Sequence, residues 1–132
     1  MVSVDLNVCE CDGHVVVALR GELDMAGAVS VAAALAAVAS RERAIIVDLA
    51  GLEFIDSSGV AALARGRKHA RHAGGDLLLA APRQQVLRVL ALTRLIDAFA
   101  VHASVDEAAG NSPNSRRAAA PVTGRPVGVA VT

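Results

Sequence analysis

A chain of 132 residues with 54% apolar content is long enough for one modest core and too short for two full domains. Formal charge balances at 13 basic and 13 acidic residues, but every acid precedes Gly110; setting aside Arg116, Arg117 and Arg125 leaves an acidic body, without the basic footprint of a nucleic-acid binder. With no Trp or Tyr and only Phe54 and Phe99, the chain also lacks a stacking platform for single strands.

The opening MVSVDLNVCECDG has neither a basic n-region nor an apolar h-region, and no apolar run approaches the ~20 residues of a membrane helix. The expectation is a cytoplasmic protein with no membrane contact. Val2 to Cys9 alternates apolar and polar residues, Asp12-Gly13 signals a turn, and His14 to Leu19 is β-rich, so an opening hairpin is predicted. Cys9 and Cys11 fall on one face of that first strand, too few ligands for a closed zinc site. They read as inert thiols.

The period then changes. From Ala26 to Ala39 the chain is Ala-rich, with Val31, Leu35 and Val38 at helical spacing behind Asp24 as cap. Ala44 to Leu49 is apolar on both parities, the mark of a strand buried on both faces. A short loop should follow, carrying Asp56-Ser57-Ser58-Gly59 to the mouth of a helix over Ser58–Ala73. Asp and Ser suit that mouth because their oxygens accept from the free N–H groups of the first turn. The same donors, with the positive end of the helix dipole, welcome an added phosphate.

Arg65, Arg67, Lys68 and Arg71 fill the later turns of this helix and Gly74-Gly75 ends it; cations suit a helix C-terminus, so the cluster reads as a solvated end. His69 and His72 share that surface without an evident third metal ligand. As catalytic bases for Ser57 they sit about three turns away on the serine's own helix, so no catalytic residues, metal or cofactor are expected. Asp76 to Ala81 gives a fourth strand, and a helix from Pro82 turns Val86, Val89, Leu90 and Thr93 inward. Phe99 to His102 is a last short strand, before a capping box at Ser104-Val105-Asp106-Glu107 that looks slightly out of register and opens a short helix. From Gly110 the composition shifts to Asn, Ser, Pro, Arg, Ala and Gly. The domain is therefore placed at 1–109, with 110–132 as a disordered tail.

Gly21-Glu22-Leu23-Asp24, Phe54-Ile55-Asp56-Ser57-Ser58-Gly59, Gly74-Gly75-Asp76-Leu77 and Val89-Leu90-Ala91-Leu92-Thr93, in this order of elements, resemble a STAS domain over about residues 4 to 108. More narrowly, the chain resembles the bacterial anti-sigma factor antagonists, and its Arg- and Ala-rich composition suits a GC-rich bacterial genome. The resemblance implies an α/β fold with a central mixed, mostly parallel β-sheet, packed α-helices and an opening β-hairpin. It also implies a non-enzymatic regulator of transcription by partner switching, as in stress responses. Unphosphorylated, such a protein binds an anti-sigma factor that is also a serine kinase and frees a sigma factor; phosphorylation ends the interaction, and a phosphoserine phosphatase would reset it.

Carried over by position, Ser57 is the phosphoacceptor, and partner binding falls on Glu22, Asp24, Asp56, Ser57, Ser58 and Gly59. An alternative within the same family is an accessory subunit of a membrane transport or lipid-trafficking complex, or a sensory scaffold. An acceptor serine beside an acid favours the antagonist. Two departures stand out: Arg94 occupies a position where many relatives have Gly, and the last helix stops at Ala109, earlier than is usual.

Overall fold

The computed structural model describes residues 3–11 and 13–110, together with the backbone of a strand over 125–131. The elements run β1 (Val4–Cys11), β2 (His14–Leu23), α1 (Met25–Val38), β3 (Ala44–Ile55), α2 (Ser57–His72), β4 (Leu77–Ala80), α3 (Gln84–Leu92), a 3-10 turn at Ile96–Ala98, β5 (Ala100–His102), α4 (Val105–Gly110) and β6 (Arg125–Val131). They form one sheet of order β5-β4-β3-β2-β1-β6. β1 pairs antiparallel with both β2 and β6, and the β2-β3-β4-β5 half is parallel. The expected mixed, mostly parallel sheet with an opening hairpin is therefore observed.

Alternation sets which face each strand buries. Val4, Leu6 and Val8 of β1, and Val15, Val17 and Leu19 of β2, turn to one side while Asp5, Asn7 and Glu10 stay exposed. That side meets Val31 and Leu35 of α1, Val60 and Leu63 of α2, and Val86 and Leu90 of α3, in one continuous core. β3 and β4 are apolar on both parities because both of their faces are covered. Ile46, Leu78 and Ala80 look the other way and pack under Ala108 of α4. At about 25 cal/mol per Å², burying one such side chain stabilises the fold by roughly 1.5–3 kcal/mol, so the sheet is held from both sides.

The helix ends follow the capping rules. Ser104 Oγ accepts from the Glu107 N–H at 3.0 Å, so the serine half of the expected capping box is in register, while the Glu107 carboxylate lies 3.4 Å from His102 Nδ1. Gly74, at φ 93°, closes α2, with the Gly75 N–H reaching back to the Ala70 carbonyl at 2.9 Å. α3 closes by the same geometry at Arg94, which takes φ 61° while the Leu95 N–H donates to the Leu90 carbonyl at 3.1 Å. Arg94 is thus a non-glycine residue where the backbone enters the left-handed region that Gly adopts most readily.

Three expectations are corrected. β3 does not stop at Leu49 but runs on to Ile55, because irregularities in the β2 pairing after Ala18 and after Gly21 absorb the break in alternation at Ala50-Gly51. α3 starts at Gln84 rather than Pro82, with Arg83 as an extended N-cap. Residues 125–131, placed with the disordered tail, form β6 along the outer edge of β1, with Arg125 opposite Glu10 and Val131 opposite Leu6. Pairing hides an otherwise open strand edge, a gain that composition does not register. The rest of that tail expectation, 111–124, lies outside the described residues.

Candidate functional site

β2 and β3 are parallel, so both deliver their C-terminal ends to the same edge of the molecule, and each leads at once into a helix. Leu23 lies opposite Ile55, and the Asp56 N–H donates to the Leu23 carbonyl at 3.1 Å. The starts of α1 and α2 are thereby held side by side, each presenting its free N–H groups and the positive end of its dipole.

An aspartate caps each start. Asp24, extended at φ −120°, accepts through Oδ1 from the Ala26 N–H at 3.1 Å and the Gly27 N–H at 3.4 Å. Asp56, extended at φ −111°, accepts through Oδ1 from the Gly59 N–H at 3.0 Å. Both carboxylates thus have a structural task, worth about 1 kcal/mol each. Glu22 lies opposite Phe54 on the neighbouring strand, and Glu22 and Glu53 are both exposed.

Ser57 and Ser58 are the first two residues of α2, one position earlier than the predicted helix start. Ser57 is exposed and Ser58 half-buried. Among the described residues the Ser57 hydroxyl takes no part in a hydrogen bond. Of the two serines, Ser57 is the more accessible.

Gly59 explains why the helix can begin so close to the sheet. A Cβ there would sit 2.7 Å from Ile55 Cγ1, 2.8 Å from Leu23 Cγ and 2.9 Å from the Leu23 carbonyl oxygen. Only hydrogen fits that gap, so Gly59 seats α2 without forming part of the exposed surface, as its burial also shows. The predicted residues Glu22, Asp24, Asp56, Ser57, Ser58 and Gly59 are therefore gathered at one edge.

The basic residues in the last turns of α2 are held elsewhere. Arg67 Nε and Arg71 approach Asp76 at 3.5 and 3.7 Å, at the far end of α2. These part-exposed pairs contribute little, roughly 0–1 kcal/mol each. His69 and His72 are exposed there too, about 18 and 22 Å from Ser57 by helix rise. Sequence reasoning did not find Met25, Val29 and Phe54, large apolar side chains exposed near the site. The signal lay in α1, where Ser30 is the only polar side chain.

Comparison with known proteins agrees with this architecture. The STAS domain family model matches residues 5–108. BtrV of Bordetella bronchiseptica, which carries the name of an anti-sigma factor antagonist, is 30% identical over 105 residues, covering 79% of this chain and 90% of that protein. The crystal structure of an anti-sigma factor antagonist from Mycobacterium paratuberculosis superposes with a TM-score of 0.74 at 28% identity, covering 83% of this chain and 94% of that one. SpoIIAA of Bacillus in its unphosphorylated form shares the fold, with a TM-score of 0.64 at 24% identity over 78% of this chain and 94% of that one. With the fold, the order of elements and a family match across nearly all of the described residues in agreement, the chain belongs to the STAS domain family.

Proposed function

We propose that this protein is an anti-sigma factor antagonist acting in the cytoplasm, and that Ser57 is its switch. Unmodified, it docks on an anti-sigma factor with serine kinase activity and frees a sigma factor for RNA polymerase. Phosphorylated at Ser57, it releases the kinase, and a phosphoserine phosphatase restores the starting state. The observation that carries this reading is an exposed serine at the first position of α2, between two helix starts capped by Asp24 and Asp56. The names of BtrV and of the mycobacterial protein support the general role.

In the transfer step the Ser57 Oγ attacks the terminal phosphorus of ATP, the bond to the bridging oxygen breaks, ADP leaves, and the hydroxyl proton passes to a base of the kinase. The product carries about −1.5 to −2 charges and three further acceptor oxygens. Within this chain, the free N–H groups and dipole of α2 favour that dianion, so the fold survives modification. Across the interface it faces the phosphates of the bound nucleotide. Like charges brought together there cost several kcal/mol, enough to end docking without refolding either partner.

Intact-mass measurement after incubation with the kinase and ATP tests the site. One added phosphate on wild type and on Ser58→Ala, and none on Ser57→Ala, is the expected result. An unchanged yield of phosphoprotein from Ser57→Ala overturns the assignment.

A further inference from the structure

Surface helices carry a polar stripe toward water, and α2 obeys this rule with Arg65, Lys68, His69, Arg71 and His72 exposed. Its neighbour α1 does not. Its inner side, Gly27, Ala28, Val31 and Leu35, is buried as expected, but its outer side is Met25, Ala26, Val29, Ala33 and Ala37. Met25 and Val29 are each 74% exposed, one turn apart. A helix apolar on both sides is ordinarily covered on both.

What covers the outer side is constrained by the tie between the two helix starts. Because the Asp56 N–H is bound to the Leu23 carbonyl, α1 begins two residues beyond the point where β3 meets β2, beside Ser57. A protein body that closes over the Ser57 hydroxyl must also lie across the first turns of α1. The nearest carboxylates favour a basic body. Glu22, Asp24, Glu53 and Asp56 frame this edge, and the segments 21–40 and 52–64 hold no Lys or Arg.

We infer that Met25 and Val29 form the apolar half of the surface that grips the anti-sigma kinase, with Glu22, Asp24, Glu53 and Asp56 as the polar half. The partner surface is an apolar cleft with a Lys/Arg rim. This rests on the reading of Ser57 as the phosphoacceptor and extends it by separating grip from switch: the α1 face supplies contact in every state, while charge at position 57 decides whether that contact is allowed. An anionic membrane is disfavoured because Glu22, Asp24, Glu53 and Asp56 would meet its headgroups. A second copy is disfavoured because it would set the same acids against each other.

The test uses full-length protein and the source organism's anti-sigma kinases, purified and assayed one at a time with ATP and by calorimetry. Val29→Asp and Met25→Gln replace exposed side chains, and circular dichroism melts show whether they fold. The expected result is that wild type is phosphorylated and bound, Val29→Asp binds at least tenfold more weakly with a raised KM for Ser57 phosphorylation, and Leu92→Gln, at another exposed apolar residue on α3, matches wild type. Wild-type affinity should also fall as salt rises. Equal binding by folded Val29→Asp overturns the surface while leaving the Ser57 reading in place. Absence of phosphorylation and binding for wild type overturns both. A wild-type dimer that Val29→Asp converts to monomer, or flotation of wild type with phosphatidylserine vesicles, assigns the face to a different occupant and overturns the inference.

Discussion

The Asp56 N–H donates to the Leu23 carbonyl at 3.1 Å, joining the last residues of two parallel strands immediately before each turns into a helix. That one bond sets the spacing of the two aspartate caps and carries Ser57 to the edge where two helix dipoles converge. Two helix starts favour an anion at this edge while carboxylates surround it, so under the proposed function a phosphate on Ser57 would be tolerated by the protein and resisted by a partner already holding phosphates.

Asp24 should have two separable roles. Asp24→Asn retains a cap oxygen and should stay within about 0.5 kcal/mol of wild type in urea unfolding, whereas Asp24→Ala should lose about 1 kcal/mol. Both should weaken binding to the anti-sigma factor, since both remove the charge. Wild-type affinity in the Asn variant would reduce Asp24 to a cap alone.

Gly59→Ala tests the close seating of α2. In an ordinary helix interior, Gly→Ala gains up to about 1 kcal/mol. Here the added methyl meets Leu23 and Ile55 at 2.7–2.9 Å, and the expected net effect is a loss of about 1–3 kcal/mol. Denaturant melts showing a stabilised Ala variant would contradict the packing described.

Arg94→Gly should move stability the other way. The left-handed geometry at φ 61° costs a non-glycine residue about 1–2 kcal/mol, partly offset by the extra freedom glycine has when unfolded. A net gain of roughly 0.5–1 kcal/mol is expected by thermal or urea unfolding. No gain, or a loss, would show that the Arg94 side chain contributes more than the strain removes.

Local chemistry made much of this legible from the amino acids. Asp24, Asp56, Ser104 and Gly74 act within one turn of themselves, through hydrogen bonds or a φ angle that few other residues allow, so their roles survive without knowledge of the fold. What was hidden depended on distant segments. Ala50-Gly51 looks like a loop until β2 supplies bulges to match it, and Arg125–Val131 has no evident use until β1 presents a free edge. Helical periodicity in α1 showed Val31 and Leu35 facing inward. It could not show that Met25 and Val29 would remain in water, because alanine-rich helices look alike on every side.

The central claim is that charge at position 57 decides docking, and the direct measurement is the Kd of the anti-sigma factor for the same preparation before and after stoichiometric phosphorylation. The account predicts weakening by about a hundredfold or more, equivalent to ~2.8 kcal/mol, with Ser57→Asp shifted in the same direction by a smaller factor. Equal affinities for the two forms, within twofold, would contradict it.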